Sequence, residues 1–156
     1  MAQRWAGIKV EGGKAKLVVI TFDDDDSVQV DDDHTINMQN GSDRPSAYKM
    51  MYQTVLNYLR EHNVDFVAIR GSETNRAGTT LAHLEAAELR GIVIAAASAA
   101  VKEVKILKKA SMSRTFGKRK VDEYLEDDDF WDKKLDSNGI RKGSREAALL
   151  VFAARK

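Results

Sequence analysis

Cysteine is absent from this 156-residue chain. No disulfide, thiolate zinc site or cysteine nucleophile is therefore available to it, which excludes several enzyme classes at once. Long apolar runs are missing too: no stretch approaches the roughly 18 to 20 uninterrupted residues that a membrane span needs. The opening Met-Ala-Gln-Arg-Trp does not read as a secretory signal. These absences predict a soluble, cytoplasmic protein with no membrane partner. There is no glycine-rich phosphate loop and no Ser-His-Asp arrangement. Neither "DDDDSVQVDDD" nor "EDDDFWDKKLD" has the alternating ligands, central glycine and distal glutamate of a calcium loop, so both acidic runs read as solvated turns. The three histidines, His34, His62 and His83, read as structural, with His62 near a helix end whose dipole favours it. Net charge is scarce as well, at +1.

What is present fits one globular domain spanning residues 1–156, with 43% hydrophobic content to build a core. The near-zero charge conceals segregation. Aspartates crowd residues 23–26 and 31–33, whereas Lys102, Lys105, Lys108, Lys109, Arg114, Lys118, Arg119 and Lys120 load a later stretch. Association responds to local potential within about one Debye length, roughly 8 to 10 Å, so the net value does not exclude a nucleic-acid partner.

Residues 5–11 and 16–22 are strand-like and joined by "EGGKA", a hairpin signature. "SVQVDDDHTINM" alternates weakly and reads as a third strand, placed at an edge because adjacent acids disfavour pairing. "GSDRPSAYKMMYQTVLNYLREHN" carries cap candidates Ser42 or Asp43, the single proline Pro45 in a first helical turn, and apolar residues at helical spacing. "VDFVAIR" is apolar on both faces, the mark of a central and parallel strand. A loop, "SETNRAGTT", precedes a long helix over about 79–100 with Leu81, Leu84, Leu89 and Ile92 in its apolar pattern. "VKEVKIL" is a fifth strand. Helices around 114–125 and over 144–154 close the chain, separated by the acidic and aromatic connector "EDDDFWDKKLD" and a "SNGIRKGS" turn. Phe130 and Trp131 in that connector read as a hydrophobic anchor or as a stacking patch. Three leading strands followed by two helix-strand units predict an α/β fold: a mixed five-stranded sheet flanked by helices, the ribonuclease H-like layout.

Several segments also carry a resemblance. "DFVAIRGSETNRAGTTLAHLEAAELRGIVIAAA" resembles the middle of RuvC-type Holliday-junction resolvases, in which an apolar strand ends in a catalytic Glu and a later helix contains an "ARG" step; "ELRGIVIAAA" matches that helix. "AGIKVEGG" resembles the family's first strand, which normally reads Gly-Ile-Asp, and "SREAALLVFAAR" resembles its last helix, which normally supplies two more Asp. Such enzymes resemble two-metal nucleases, whose converging carboxylates hold two divalent ions. Here Lys9 stands where the first Asp is expected and Arg70 where the strand Glu is expected; Glu146 alone approximates an acid on the last helix. Arg70 and Lys9 are then resident substitutes for metal charge with Glu146 as their counter-ion, or merely strand-end charges.

The resemblance implies a catalytically degenerate RuvC-like domain, a pseudo-nuclease without a cofactor, that binds structured DNA through Arg70, Lys118, Arg119 and Lys120 or serves as a subunit of a nucleic-acid-processing assembly. With no sign in the sequence that they converge, Lys118, Arg119 and Lys120 read rather as a solvated helix face balanced by Asp122, Glu123 and Glu126. Two alternatives stay open: a Mg²⁺- or Mn²⁺-dependent DNA nuclease with rearranged carboxylates including Glu73 and Glu146, and a scaffold for a protein partner. The resemblance also implies a possible homodimer, since paired sites cut two strands, a reason that loss of catalysis removes.

Overall fold

In the computed structural model, residues 2–41, 43–74, 76–135 and 139–156 are described. Five strands form one sheet: β1 (Gln3–Glu11), β2 (Lys14–Phe22), β3 (Val28–Asn37), β4 (Phe66–Arg70) and β5 (Glu103–Leu107), in the spatial order β3-β2-β1-β4-β5. The first three pair antiparallel and β1, β4 and β5 pair parallel, so the mixed sheet is as predicted. Glu11 faces Lys14 across the two-glycine turn. The third strand lies at an edge, as expected.

Alternation along the strands divides the core in two. Ala6, Ile8 and Val10 of β1 with Val67 and Ile69 of β4 meet Met51, Val55 and Leu59 of α1 (Arg44–Glu61) and Leu89 and Val93 of α2 (Leu81–Ala100). Asp43 caps α1 through Ser46 N at 2.8 Å; the other cap candidate, Ser42, lies outside the described residues. Trp5 and Ala68 face the opposite way, onto α6 (Arg145–Arg155) and three short helices, α3 (Lys109–Phe116), α4 (Val121–Leu125) and α5 (Asp128–Lys134). The approach of α6 requires Gly7, where an added Cβ would come within 1.8 Å of the Ala147 carbonyl oxygen. Among the described residues, no helix is long and apolar enough to cross a membrane.

Four expectations need correction. The single helix around 114–125 is two, broken at Gly117, whose φ of 133° lies where other residues are strained. The acidic connector is largely helical as α5, with Asp127 accepting from Phe130 N at 3.1 Å and Trp131 buried as an anchor, its Nε1 donating to the Tyr124 carbonyl at 2.9 Å. Leu81 and Leu84, assigned to the packed face of α2, are 69% and 54% exposed, because the helix begins beyond the sheet's edge of contact and its buried residues start at Leu89.

The acids of residues 31–33 are not left to solvent: Asp31, Asp32 and Asp33 lie within β3, the strand expected there. A register shift opposite Val19 and Ile20 leaves Asp31 unpaired in the ladder, and each carboxylate has a partner from another element. Asp31 accepts from Thr21 Oγ1, Asp32 from Tyr58 Oη at 2.7 Å, and Asp33 from Ser144 Oγ at 2.6 Å and Arg141 Nη2 at 2.9 Å. The acids are tolerated in a strand because donors meet them there. Tyr58 is thereby tied to Asp32 while its ring stacks on His34, and burial followed by the bond to Asp32 pushes its hydroxyl well above the usual tyrosine range.

Candidate functional site

The side chain at the end of β4 is decided by strand periodicity. Val67 and Ile69 face α1 and α2, so Ala68 and Arg70 face α6; on β1 the same alternation sends Gly7 and Lys9 to that side. The parallel register pairs Ile8 with Ile69, so Lys9 of β1 lies level with Arg70, the last residue of β4. Glu146 enters from the first turn of α6, where the helix dipole favours a carboxylate.

These three side chains converge. Lys9 Nζ is 3.2 Å from Glu146 Oε2, and Arg70 Nη1 donates to both Glu146 oxygens at 3.2 and 3.3 Å. Glu146 is only 5% exposed, so its charge is neutralised in a poorly solvated place by two cations that would otherwise repel each other. The cluster extends outward. Arg70 Nε and Nη2 donate to Glu73 Oε2 at 3.2 and 2.9 Å, while Glu11 bridges Lys9 at 3.2 Å and Lys16 at 3.0 Å. Burial opposes the Arg70 charge, yet Glu146 and Glu73 outweigh it and raise its pKa. Burial likewise pushes Glu73 and Glu11 up, but hydrogen bonds from Arg70 to the first and from Lys16 to the second hold both below the ordinary glutamate value.

Above the cluster opens a crevice of about 730 Å³ between the strand ends, the loop after β4 and the start of α2. Lys9, Arg70, Ser72, Arg76 and Arg90 line it, with Glu11 and Glu73 as its acids. Ammonium and guanidinium groups are hydrogen-bond donors without lone pairs, and they already occupy both oxygens of Glu146. Among the described residues, no group of three or more histidines, aspartates and glutamates is placed to hold a metal ion. The residues present do not fit a two-metal centre.

Solved structures of similar shape were found for resolvases of Holliday junctions. Thermus thermophilus RuvC is 16% identical with a TM-score of 0.71, the match covering 97% of this chain and 91% of that one. The same enzyme in complex with a Holliday junction substrate gives 16% identity and a TM-score of 0.73, over 98% and 96%. The yeast mitochondrial Holliday junction resolvase gives 15% and 0.61, over 97% and 78%. The fold is RuvC-like. No protein-family model matches the chain, and no curated protein matches it in sequence. At this identity the likeness is one of architecture, and the chemistry rests on the residues in the crevice.

On this RuvC-like frame the basic triplet lies apart from the convergence. Lys118, Arg119 and Lys120 occupy the linker between α3 and α4 and do not line the crevice. The start of α3 does touch it, through Lys109 N and Glu73 Oε2 at 3.4 Å, so the triplet stands beyond the other end of an eight-residue helix, about 12 Å long. Arg119 pairs with Asp127 at 2.9 Å and lies 4.3 Å above the Tyr124 ring, and Lys120 N donates to Glu123 at 2.7 Å. The hydroxyls of Ser113 and Thr115 donate back to carbonyls one turn earlier, at 3.3 and 2.8 Å. Sequence reasoning missed Arg90, although the "ELRG" step contains it. Its place in the crevice depends on Ser72 and Val10, neither of which is near it in sequence.

Proposed function

We propose that this RuvC-like domain is a pseudo-nuclease that binds structured nucleic acid, branched DNA first, through its phosphates and without a catalytic metal. It acts by itself or as a subunit of a nucleic-acid-processing assembly. The observation that carries the reading is the Lys9–Glu146–Arg70 cluster at the ends of β1 and β4. Fixed cations occupy the focus of a concave site in which the acids number fewer than the cations, so the electrostatic demand of a phosphate is met by protein groups. A second support is that a protein of similar fold, Thermus thermophilus RuvC, is known in complex with a Holliday junction substrate. In this reading the triplet Lys118, Arg119 and Lys120, one short helix away, is a second phosphate contact for a duplex arm.

Binding to a four-way junction and to linear duplex, measured in EDTA over a salt series from about 50 to 200 mM, tests the reading. The expected result is binding of both without divalent ions, with log K falling linearly against log salt. Absence of binding at the lowest salt with folded protein would overturn it in favour of a scaffold for a protein partner.

A further inference from the structure

Arg70 is the cation that the strand pattern makes conspicuous, yet its hydrogen-bonding capacity is largely used. All three of its nitrogens donate to the carboxylates of Glu146 and Glu73. Arg90 is the opposite case. It projects from α2 into the same crevice, with Nη1 donating to Ser72 Oγ at 2.6 Å and Nη2 to the Val10 carbonyl at 3.1 Å. Its Nε is buried with no acceptor among the described residues. No carboxylate lies within ion-pair distance of it among those residues, whereas Lys9, Lys16 and Arg70 share Glu11, Glu73 and Glu146. The other guanidinium with an unpartnered Nε, Arg145, pairs with Asp128 at 2.8 Å. Burial, and then the positive charge of Arg70 nearby, lowers the Arg90 pKa.

A guanidinium withdrawn from water, beside a second guanidinium and without a counter-ion, is an electrostatic deficit that an anion relieves. Neutral hydroxyl and carbonyl groups fix its plane without spending its charge, and one N–H on each Nη remains free. Donors on both Nη atoms are thus left for a phosphate, the group that guanidinium geometry suits. Neighbouring groups add donors. Arg76 and the Thr79 hydroxyl line the crevice beside it. His83 accepts from Thr80 N through Nδ1 at 3.2 Å, so its neutral ring carries the proton on Nε2.

We infer that Arg90, held by Ser72 and Val10, is the residue that grips a nucleic-acid phosphodiester in the crevice, while the Lys9–Glu146–Arg70 cluster behind it supplies field and architecture. The inference rests on the nucleic-acid reading above. It assigns direct phosphate contact to a residue on α2 and not to Arg70 at the strand end.

The test compares the parent with Arg90→Gln and Arg90→Lys in junction binding over a salt series, each with a thermal unfolding curve. Arg90→Gln is expected to weaken binding about tenfold or more and to make the salt slope shallower by about one unit, with Arg90→Lys intermediate in affinity and close to the parent in slope. Unchanged affinity and slope in a folded Arg90→Gln protein would overturn the inference and leave nucleic-acid binding standing. Weaker binding with an unchanged slope and a large fall in Tm in both variants would make Arg90 a strap between β1 and the loop after β4, again overturning it. Should the parent bind no DNA, the functional reading itself fails, and titration with inorganic pyrophosphate decides the site. A rise in parent Tm that Arg90→Gln abolishes would keep Arg90 as a phosphate ligand for small molecules. No rise would remove that role too.

Discussion

Two parts of this molecule concentrate charge next to a hydrophobic core, and they balance it differently. At the edge, Asp31, Asp32 and Asp33 of β3 each have donors of their own, drawn from β2, α1 and the turn before α6. Along that strand the charge is settled inside the protein. In the crevice, three acids are distributed over Lys9, Lys16 and Arg70, and Arg90 adds a cation with no acid to match. Matched charge holds a fold together; unmatched charge, in a concave place, waits for a ligand. Under the proposed function the crevice takes the ligand and the edge strand holds the fold, although the edge looks the more unusual in sequence.

Breaking the crevice at its foundation should have the largest effect. Gly7→Ala places a Cβ against the backbone of α6, which cannot yield as a flexible side chain would, and should cost more than about 3 kcal/mol. The expected outcome is a protein that unfolds far below the parent in a thermal scan, or does not accumulate. Next is Glu146→Gln, which keeps the shape but removes the charge that Lys9 and Arg70 share, leaving each with only its outer carboxylate, Glu11 or Glu73. A loss of about 3 kcal/mol is expected in denaturant unfolding, together with tighter phosphate binding if the variant folds, because the site becomes more positive.

The edge should behave in the opposite sense. Asp33→Asn weakens the bonds to Ser144 and to Arg141, with an expected loss of about 2 kcal/mol. The salt slope of DNA binding should not change, since no phosphate contact is removed. A changed slope would mean that the turn before α6 belongs to the interface.

The smallest effect is on acidification. Burial pushes the Asp33 carboxyl up, but the bonds from Arg141 and Ser144 prevail and hold it below the ordinary aspartate value. A depressed folded pKa gives stability that is full above the unfolded value of about 3.9 and is lost as pH falls through the lower folded value. Arg141 is more than half exposed, so its share is screened to about 0.5–1 kcal/mol. Parent and Arg141→Ala should differ in Tm by a few degrees at neutral pH and draw together below about pH 4. A gap that does not narrow as pH falls through the lower folded value of Asp33 would mean that Arg141 acts through packing.

Much of the frame was legible because it is written in local periodicity. The two-glycine hairpin, the doubly apolar β4 and the spacing of Met51, Val55 and Leu59 each name an element without reference to the rest of the chain. Lys9, Arg70 and Glu146 were legible as well, since each occupies a position where the resemblance expects a ligand. The third strand was legible as a strand at an edge, but its acids were misread as solvated because their partners Tyr58, Arg141 and Ser144 lie 26, 108 and 111 residues away. The long third helix was misread because Gly117 permits a sharp break that composition alone leaves optional. Arg90 escaped notice for a related reason: what marks it is a missing counter-ion, and an absence of that kind exists only once the chain has folded.

The central claim is that resident cations replace metal charge, so that this RuvC-like domain holds branched DNA without cutting it. Junction DNA incubated with the purified protein in Mg²⁺, Mn²⁺ or EDTA, with bound complex and cleaved product read from the same samples, tests this most directly. The predicted result is complex under all three conditions and product under none. Robust cleavage that both EDTA and Glu146→Ala abolish would contradict it.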